Sequence, residues 1–269
     1  MLSSTRMIVL GGADPDAKAW RNSVVANGGT VSGPRLAIVS RFIRAEKASG
    51  AWALTDDYWG LWGESAPQAL TSLKQRRLAV ATNTPTFAAD RDYTFDGATN
   101  YLDTGFIAAS HAVAMTATSA RIAVYERTNV NANTYAAGAI SASNRNLRIR
   151  PRVSGNALGE ANATSGTFTL PASDSRGLTA VSRNGADATT CLAYKNGAAM
   201  TRTVDPSAFG ASLPLVGIFI GGSNSGGVLT TPRACAVGLV ATGAALSAAQ
   251  ELAQYNAVQA WATAVGAQV

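Results

Sequence analysis

The sequence predicts a mainly β protein, in which an antiparallel β-sandwich follows an N-terminal helical region and is closed by a C-terminal helix. The dipeptides Asp96-Gly97 and Asn196-Gly197 are typical of tight turns between strands. Residues 215–220 and 233–241 are nearly continuous in apolar side chains, as strands in the core of a sandwich are. These strands need a second sheet to bury their faces.

Helix signals dominate the chain before residue 84. Asp14-Pro15 combines an N-cap residue with a proline suited to the first helical position, and predicts a helix to about Asn27, before Gly28-Gly29. Residues 30–47 repeat apolar side chains at three- and four-residue spacing, which predicts a second helix that ends at Gly50.

Four of the five tryptophans lie before residue 63 and predict the core of a small helical module. Trp52, Trp59 and Trp62 fit one side of a third helix, and residues 66–78 fit a fourth. Thr84 precedes a proline and is disfavoured in a helix, which marks a boundary. The predicted parts are therefore an arm over 1–13, a helical module over 14–83 and a β domain over 84–269.

Strand signals follow this boundary. Residues 93–106 predict two short strands joined at Asp96-Gly97, and residues 189–204 predict a hairpin around Asn196-Gly197. The glycine-rich segment 221–227 predicts a hairpin tip, since a phosphate-binding loop would lead directly into a helix. Ser247 and Gln250 form a capping box, which predicts a terminal helix to about residue 266.

Composition excludes several classes of protein. The 269 residues include 22 Lys+Arg and 16 Asp+Glu, a net charge of +6, but residues 1–92 and 93–269 each hold 11 basic and 8 acidic residues. An even distribution of this kind argues against a nucleic-acid-binding domain. No apolar run is long enough to span a membrane. Cys191 and Cys235 lie far apart in apolar surroundings and are interpreted as buried free thiols.

Two segments resemble a known family. Residues 93–106 read Tyr-Thr-Phe-Asp-Gly-Ala-Thr-Asn-Tyr-Leu-Asp-Thr-Gly-Phe, and this run is similar to the opening strands of laminin-G-like, or concanavalin A-like, jelly-roll domains. Gly238-Leu239-Val240 with residues 246–250 resembles the closing strand and terminal helix of the same family. The β domain over 84–269 is thus expected to be a laminin-G-like jelly roll.

The resemblance is greatest to copies of this family in phages and prophages, where a helical module precedes the jelly roll. It implies a non-enzymatic virion protein, such as a head decoration, head fibre or tail-associated protein, assembled in the host cytoplasm. The implied partners are capsid or tail proteins, further copies of the chain and a surface glycan. A carbohydrate-binding adhesin or a glycosidase of the same fold is the alternative.

Catalytic and metal-binding residues are not evident. Glu126 and Glu160 are isolated, whereas glycoside hydrolysis needs two facing carboxylates. His111 is the only histidine and is interpreted as an exposed loop residue. Three loop aspartates, Asp96, Asp103 and Asp174, are interpreted as turn formers rather than Ca²⁺ ligands. We therefore expect no catalytic residue, metal or cofactor.

One pattern favours an interaction surface. Arg148, Arg150 and Arg152 alternate with apolar residues, so three guanidinium groups lie on one side of a strand in which Pro151 indicates an edge or a bulge. They either protect a sheet edge against aggregation or contact an acidic glycan or subunit. The apolar arm residues Met7, Ile8, Val9 and Leu10 are the second candidate contact.

Aromatic side chains in the β region are candidate sugar platforms, because a sugar ring packs against an exposed aromatic face. The candidates are Tyr125, Tyr135, Phe168 and Phe209, and each fits a core position better than a ligand contact.

Overall fold

The computed structural model describes residues 12–142 and 144–269. The helices are α1 Pro15–Ala26, α2 Gly33–Ser49, α3 Ala51–Leu54, α4 Ala66–Leu70, α5 Ala108–His111 and α6 Ala248–Ala264. The strands are β1 Thr55–Gly60, β2 Val80–Thr82, β3 Thr86–Ala88, β4 Asp92–Thr94, β5 Tyr101–Ile107, β6 Ser119–Glu126, β7 Ala137–Ala142, β8 Arg145–Val153, β9 Asn156–Ala161, β10 Gly166–Thr169, β11 Gly177–Asn184, β12 Cys191–Lys195, β13 Ala198–Ala199, β14 Thr201–Val204, β15 Gly217–Ile220, β16 Ser223–Ser225, β17 Val228–Thr230 and β18 Ala236–Gly243.

The strands form two packed sheets, which confirms the predicted sandwich. The back sheet has eight strands in the order β13-β12-β11-β6-β18-β4-β3, and β1 also pairs with β18. The front sheet has ten, in the order β14-β10-β9-β8-β7-β15-β5-β2, with the hairpin β16–β17 joined to β7. Within the described residues, the pairs are antiparallel apart from that of β16 with β7.

The back sheet is buried on both faces. Its inner face shares a core with the front sheet, to which Ile122 and Val124 of β6 contribute. Its outer face shares a second core with the helices, in which Tyr125 of β6 packs with Trp62 and with Trp261 of α6. Alternate residues of β6 thus enter different cores, as the two-residue period of a strand requires.

The predicted first, second and last helices are confirmed. Ser32 caps α2 by accepting a hydrogen bond from the backbone N–H of Arg35, and Gly50 ends α2 in the left-handed conformation. Ser247 and Gln250 form the predicted capping box at the start of α6. Local capping chemistry therefore locates the ends of these helices.

The third predicted helix is wrong, because residues 55–60 form strand β1 and pair with β18. Tyr58 packs among the helices while Trp59 packs between the sheets, so the tryptophans divide between two cores. The fourth predicted helix covers only Ala66–Leu70.

The predicted division of the chain at residue 84 stays a prediction. Strands β1 and β2 precede that residue, and they pair with β18 and β5, which follow it.

The predicted pairing within residues 93–106 is also wrong. Strand β4 belongs to the back sheet and β5 to the front sheet, so the turn at Asp96-Gly97 carries the chain between sheets. Asp96 accepts hydrogen bonds from the backbone N–H groups of Ala98, Thr99 and Asn100. Gly97 has φ +71°, and a Cβ there would lie 2.6 Å from the backbone nitrogen of Ala234, so a side chain is excluded.

The hairpin around Asn196-Gly197 is confirmed for β12 and β13, but β14 leaves the back sheet and pairs with β10 of the front sheet. The glycine-rich segment forms the predicted hairpin, with Gly226 and Gly227 between β16 and β17.

A buried polar network joins the helices to the back sheet. Arg121 of β6 and Glu251 of α6, each 1% exposed, are joined by two hydrogen bonds of 2.7 and 2.6 Å. Gln254 accepts from Arg121 at 2.6 Å and donates to Glu46 of α2 at 3.0 Å. Tyr58 of β1 donates to the same Glu46 carboxylate, whose pKa is raised by burial. The network therefore joins α2, α6, β1 and β6.

Replacing Glu251 by alanine is expected to lower the free energy of unfolding by about 3–5 kcal/mol, because Arg121 is left buried without its partner. Urea unfolding measures the change. Arg176→Ala breaks the exposed pair with Asp174 and serves as the control, with little or no loss expected. Equal losses in the two variants would contradict the assigned role of the buried pair.

Asp57 of β1 forms hydrogen bonds with the segment that follows α4. Its carboxylate accepts hydrogen bonds from the Ser72 hydroxyl at 2.7 Å and from the backbone N–H groups of Lys74 and Gln75 at 3.0 and 3.2 Å. Burial nevertheless raises the pKa of Asp57 from 3.8 to about 6. The folded protein therefore holds a proton there over a pH range in which the unfolded chain has lost it.

This proton makes the stability depend on pH. The contribution of the protonated Asp57 is fully present below pH 3.8 and is lost as the pH rises through about 6. The unfolding free energy of Asp57→Asn minus that of the parent is expected to rise by about 2 kcal/mol between pH 4 and pH 7. Urea unfolding at a series of pH values measures this difference, and a constant value would contradict the prediction.

Candidate functional site

The arginine row consists of Arg148, Arg150 and Arg152 of β8. Leu147 and Ile149 of β8 are fully buried in the core between the sheets, so Arg148 and Arg150, which alternate with them, lie on the outer face of the front sheet. Arg152 lies beyond the point where the strand pairing shifts, and its Nη1 donates to Asn129 Oδ1. Strand β8 runs between β7 and β9. The predicted edge strand is therefore wrong, and protection of an edge is not the role of these arginines.

The alternative prediction for Pro151, a bulge, is confirmed, and the bulge determines which residues face the arginines. Ser154 and Gly155, with φ of +49° and +82°, form the tight turn between β8 and β9. Val153 pairs with Asn156 beside this turn, but the register shifts by one residue between Val153 and Arg150. Arg148 consequently pairs with Glu160 instead of Ala161.

Glu160 is the centre of a buried polar cluster. One carboxylate oxygen accepts from the Tyr135 hydroxyl at 2.7 Å. The other accepts from Asn146 Nδ2 at 2.7 Å and from Arg148 Nε at 2.8 Å. Arg150 Nη2 donates to the Tyr135 hydroxyl and lies 3.5 Å from Glu160. These contacts hold two arginines in place on the sheet.

Tyr135 is packed against both guanidinium groups. The guanidinium carbons of Arg148 and Arg150 lie 4.4 and 4.0 Å from the centre of its ring. At these distances the aromatic face attracts the cations, which stabilises the ordered arrangement.

The cluster remains positively charged. Two arginines, Arg148 and Arg150, face one glutamate, which leaves a net charge of +1 when Glu160 is ionised. Burial raises the pKa of Glu160, against the opposing effect of Arg148, and burial also lowers the pKa of Arg150. Arginine stays protonated in proteins in spite of such shifts, so the face attracts anions.

Each arginine of the row has one amino group without a hydrogen-bond acceptor among the described residues. Among the described residues, no acceptor contacts Nη1 of Arg148, Nη1 of Arg150 or Nη2 of Arg152. The side chains of Arg148 and Arg150 are 15% and 16% exposed. The row thus combines ordered side chains with unused hydrogen-bond donors.

Sequence reasoning missed the role of Glu160 and the exposed aromatic residue of this face. The available signal for Glu160 was the Ser154-Gly155 turn, which predicts that β8 and β9 pair, although the one-residue shift at Pro151 is not visible in the sequence. Tyr101 of β5 is half-buried on the same face and stacks on Phe219 of β15, with ring centres 4.2 Å apart.

The core interpretation of the aromatic candidates is confirmed for Tyr125, Tyr135 and Phe168, each at most 2% exposed. Phe209 is half-buried, with the Arg183 guanidinium 4.8 Å from its ring centre.

The remaining candidates have structural roles. Glu126 and Arg233 form an ion pair in which both side chains are 0% exposed. His111 lies half-buried in α5, where its Nδ1 accepts a hydrogen bond from the backbone N–H of Ile107, and is not an exposed loop residue. Asp103 and Asp174 accept from the backbone N–H two residues ahead, which confirms their turn role.

Three further findings bear on the expectations from composition. Cys191 and Cys235 are buried free thiols, as predicted. In the described part of the chain, no group of His, Cys, Asp and Glu residues is arranged to hold a metal ion, and no helix is both long and apolar enough to cross a membrane. The predicted contact residues Met7, Ile8, Val9 and Leu10 lie outside the described residues.

Comparison with known proteins gives likenesses of fold. No family model and no curated protein matches the chain. Among solved structures, domain 4 of AbnA, an extracellular arabinanase from Geobacillus stearothermophilus solved with arabinotriose, is 11% identical with a TM-score of 0.49. The match covers 75% of this chain and 98% of that one. Domains LG4-5 of the mouse laminin alpha1 chain are 16% identical with a TM-score of 0.38 over 56% of this chain and 41% of theirs.

A mutant Trypanosoma rangeli sialidase with trans-sialidase activity is 11% identical with a TM-score of 0.47, and the match covers 83% of this chain and 40% of the sialidase. The mainly β sandwich expected from the laminin-G-like resemblance is confirmed as a fold, whereas the phage origin stays a prediction.

The prediction that the protein is not an enzyme is wrong. The similar solved chains include domain 4 of a GH43 arabinanase and part of a sialidase. A single histidine and isolated glutamates do not by themselves exclude catalysis, because a fold does not determine function.

Replacing Glu160 by glutamine tests the ion cluster. The amide cannot supply two acceptor oxygens to Arg148, Asn146 and Tyr135, so we expect a loss of about 1–3 kcal/mol in the free energy of unfolding. Asp205→Asn, at an exposed pair with Arg202, is the matched control and is expected to change stability little. A Glu160→Gln variant as stable as this control would show that the cluster does not hold the arginines.

Proposed function

We propose that the protein binds an anionic polysaccharide on the outer face of the front sheet. The observation that carries the proposal is the row of Arg148, Arg150 and Arg152. Arg148 and Arg150 share the Glu160 carboxylate, Arg152 donates to Asn129 Oδ1, and each of the three keeps an unused donor. The helices occupy the outer face of the other sheet, so a ligand of the sandwich has the front face available.

The chemistry of this face suits an acidic sugar. A guanidinium group binds a carboxylate through two parallel hydrogen bonds, which gives the contact both strength and direction. Polar side chains for sugar hydroxyls lie on the next two strands, where Asn156 of β9 pairs with Thr169 of β10. An open sheet face accepts a long polymer more readily than a small molecule, which needs an enclosing pocket.

Attachment to a virion, self-association and an arm contact through residues 7–10 stay predictions. They rest on the family resemblance and on residues outside the described part of the chain. The polysaccharide proposal depends on neither.

Binding to hyaluronan, a carboxylated polysaccharide, tests the proposal, with uncharged dextran as the comparison. The double variant Arg150→Gln/Arg152→Gln is expected to lose at least about tenfold in affinity, because a hydrogen bond to a charged group contributes about 1.5–3 kcal/mol. Isothermal titration calorimetry at low and moderate salt measures the affinity.

The matched control is Arg21→Gln/Arg41→Gln, which removes the same charge from exposed positions on α1 and α2. Its affinity is expected to stay within about twofold of the parent, since these positions lie outside the front sheet. Equal losses in both double variants would indicate attraction by net charge alone and overturn the proposal, as would the absence of any binding to hyaluronan.

A further inference from the structure

The front face carries an aromatic position in register with the arginines. Strand pairing aligns Asp103 of β5 with Phe219 of β15, Phe219 with Gly138 of β7, and Gly138 with Arg148 of β8. Tyr101 precedes Asp103 by two residues and lies on the same face, where it stacks on Phe219 with an interplanar angle of 28°. An aromatic and a basic position thus share one face.

Phe219 supports Tyr101 from below. Phe219 is 2% exposed, whereas its neighbours Ile218 and Ile220 point into the core between the sheets. The half-buried Tyr101 ring rests on this buried ring, which restricts its motion and leaves part of it accessible. An ordered, accessible aromatic ring suits the apolar face of a sugar.

Of the two register positions between Asp103 and Arg148, one holds Phe219 and the other holds Gly138. Gly138 has no side chain, and a Cβ there would lie 2.6 Å from Cγ of Arg148. The aliphatic part of Arg148 therefore passes over Gly138, and any larger residue at 138 would displace it. The guanidinium group at the end of this side chain is held by Glu160 of β9.

The separation of the two positions determines the length of ligand that contacts both. Strands β5 and β8 are separated by β15 and β7, which makes three inter-strand steps. At about 4.8 Å per step, the two positions lie about 14 Å apart. A disaccharide is too short to contact both positions, and a longer oligosaccharide is required.

The charges of the two positions differ. The aromatic position is acidic, because Asp103 lies beside Tyr101. The second position is basic, because it contains Arg148. A carboxylated sugar is attracted to the arginines and repelled by Asp103, so the ring on Tyr101 must be uncharged.

We infer that Tyr101 and Asp103 form a second subsite for a neutral sugar ring, and that one heteropolymer of acidic and neutral sugars spans this subsite and the arginine row. The inference rests on the proposed function, since the acidic rings bind at the arginines. To the proposed function, the inference adds a minimum length of the ligand. It also adds a preference for polymers that contain both acidic and neutral sugars over polymers in which every sugar is acidic.

The length requirement is tested with hyaluronan oligosaccharides of two and eight sugars, measured by calorimetry or by competition. The parent is expected to bind the octasaccharide at least tenfold more tightly than the disaccharide. Tyr101→Ala is expected to abolish this gain while leaving disaccharide binding unchanged, and Tyr101→Phe, which keeps the ring, is expected to retain the gain.

The charge preference is tested with galacturonate oligosaccharides of eight sugars, in which every ring is acidic. The parent is expected to bind them several-fold more weakly than the hyaluronan octasaccharide, and Asp103→Asn is expected to narrow this difference.

The outcomes separate the two proposals. If Arg150→Gln/Arg152→Gln weakens binding but Tyr101→Ala leaves octasaccharide affinity unchanged, the second subsite is wrong and the arginine site stands. If the arginine variant binds both lengths like the parent, the proposed function itself is wrong.

Discussion

Burial of the back sheet on both faces is the constraint on which the rest of the structure depends. A sheet that packs against another sheet on one side and helices on the other must exclude water from both, so every polar group enclosed there needs a partner. Nε and Nη2 of Arg121 meet this need through Glu251 and Gln254, and Oε2 of Glu46 is joined to the same network. The helices are therefore part of the hydrophobic organisation of the sandwich, and the outer face of the front sheet is left for recognition.

On that face, the identity of the site depends on a single irregularity in strand pairing. A one-residue shift in register reverses which side chains lie opposite one another across a strand pair. The shift near Pro151 places Glu160, not Ala161, beside Arg148. Without a carboxylate between them, Arg148 and Arg150 would repel each other, and their long side chains would be disordered. The bulge thus supplies the ordered pair of cations, and it does so through backbone geometry.

The sequence predicts those features that depend on local chemistry. The caps at Ser32 and Ser247, the Asn196-Gly197 turn and the outward position of the arginines all follow from neighbouring residues. Features that depend on distant partners were not predictable. Residues 55–60 read as part of a helix because tryptophans recur in them, yet pairing with β18 makes them a strand. Likewise β4 and β5 are adjacent in sequence but join different sheets, because each finds its hydrogen-bond partners far along the chain.

The order of the arginine row bears on how it can recognise a ligand. Immobilising a free arginine side chain on binding costs entropy, and this cost reduces affinity. Arg148 and Arg150 are already held by Glu160 and by the ring of Tyr135, so most of that cost is met during folding. The same contacts weaken each cation's attraction for a new anion, because Glu160 already neutralises part of the charge. A single small carboxylate therefore gains little at this site. A polymer gains more, because it makes several modest contacts at once across ordered strands.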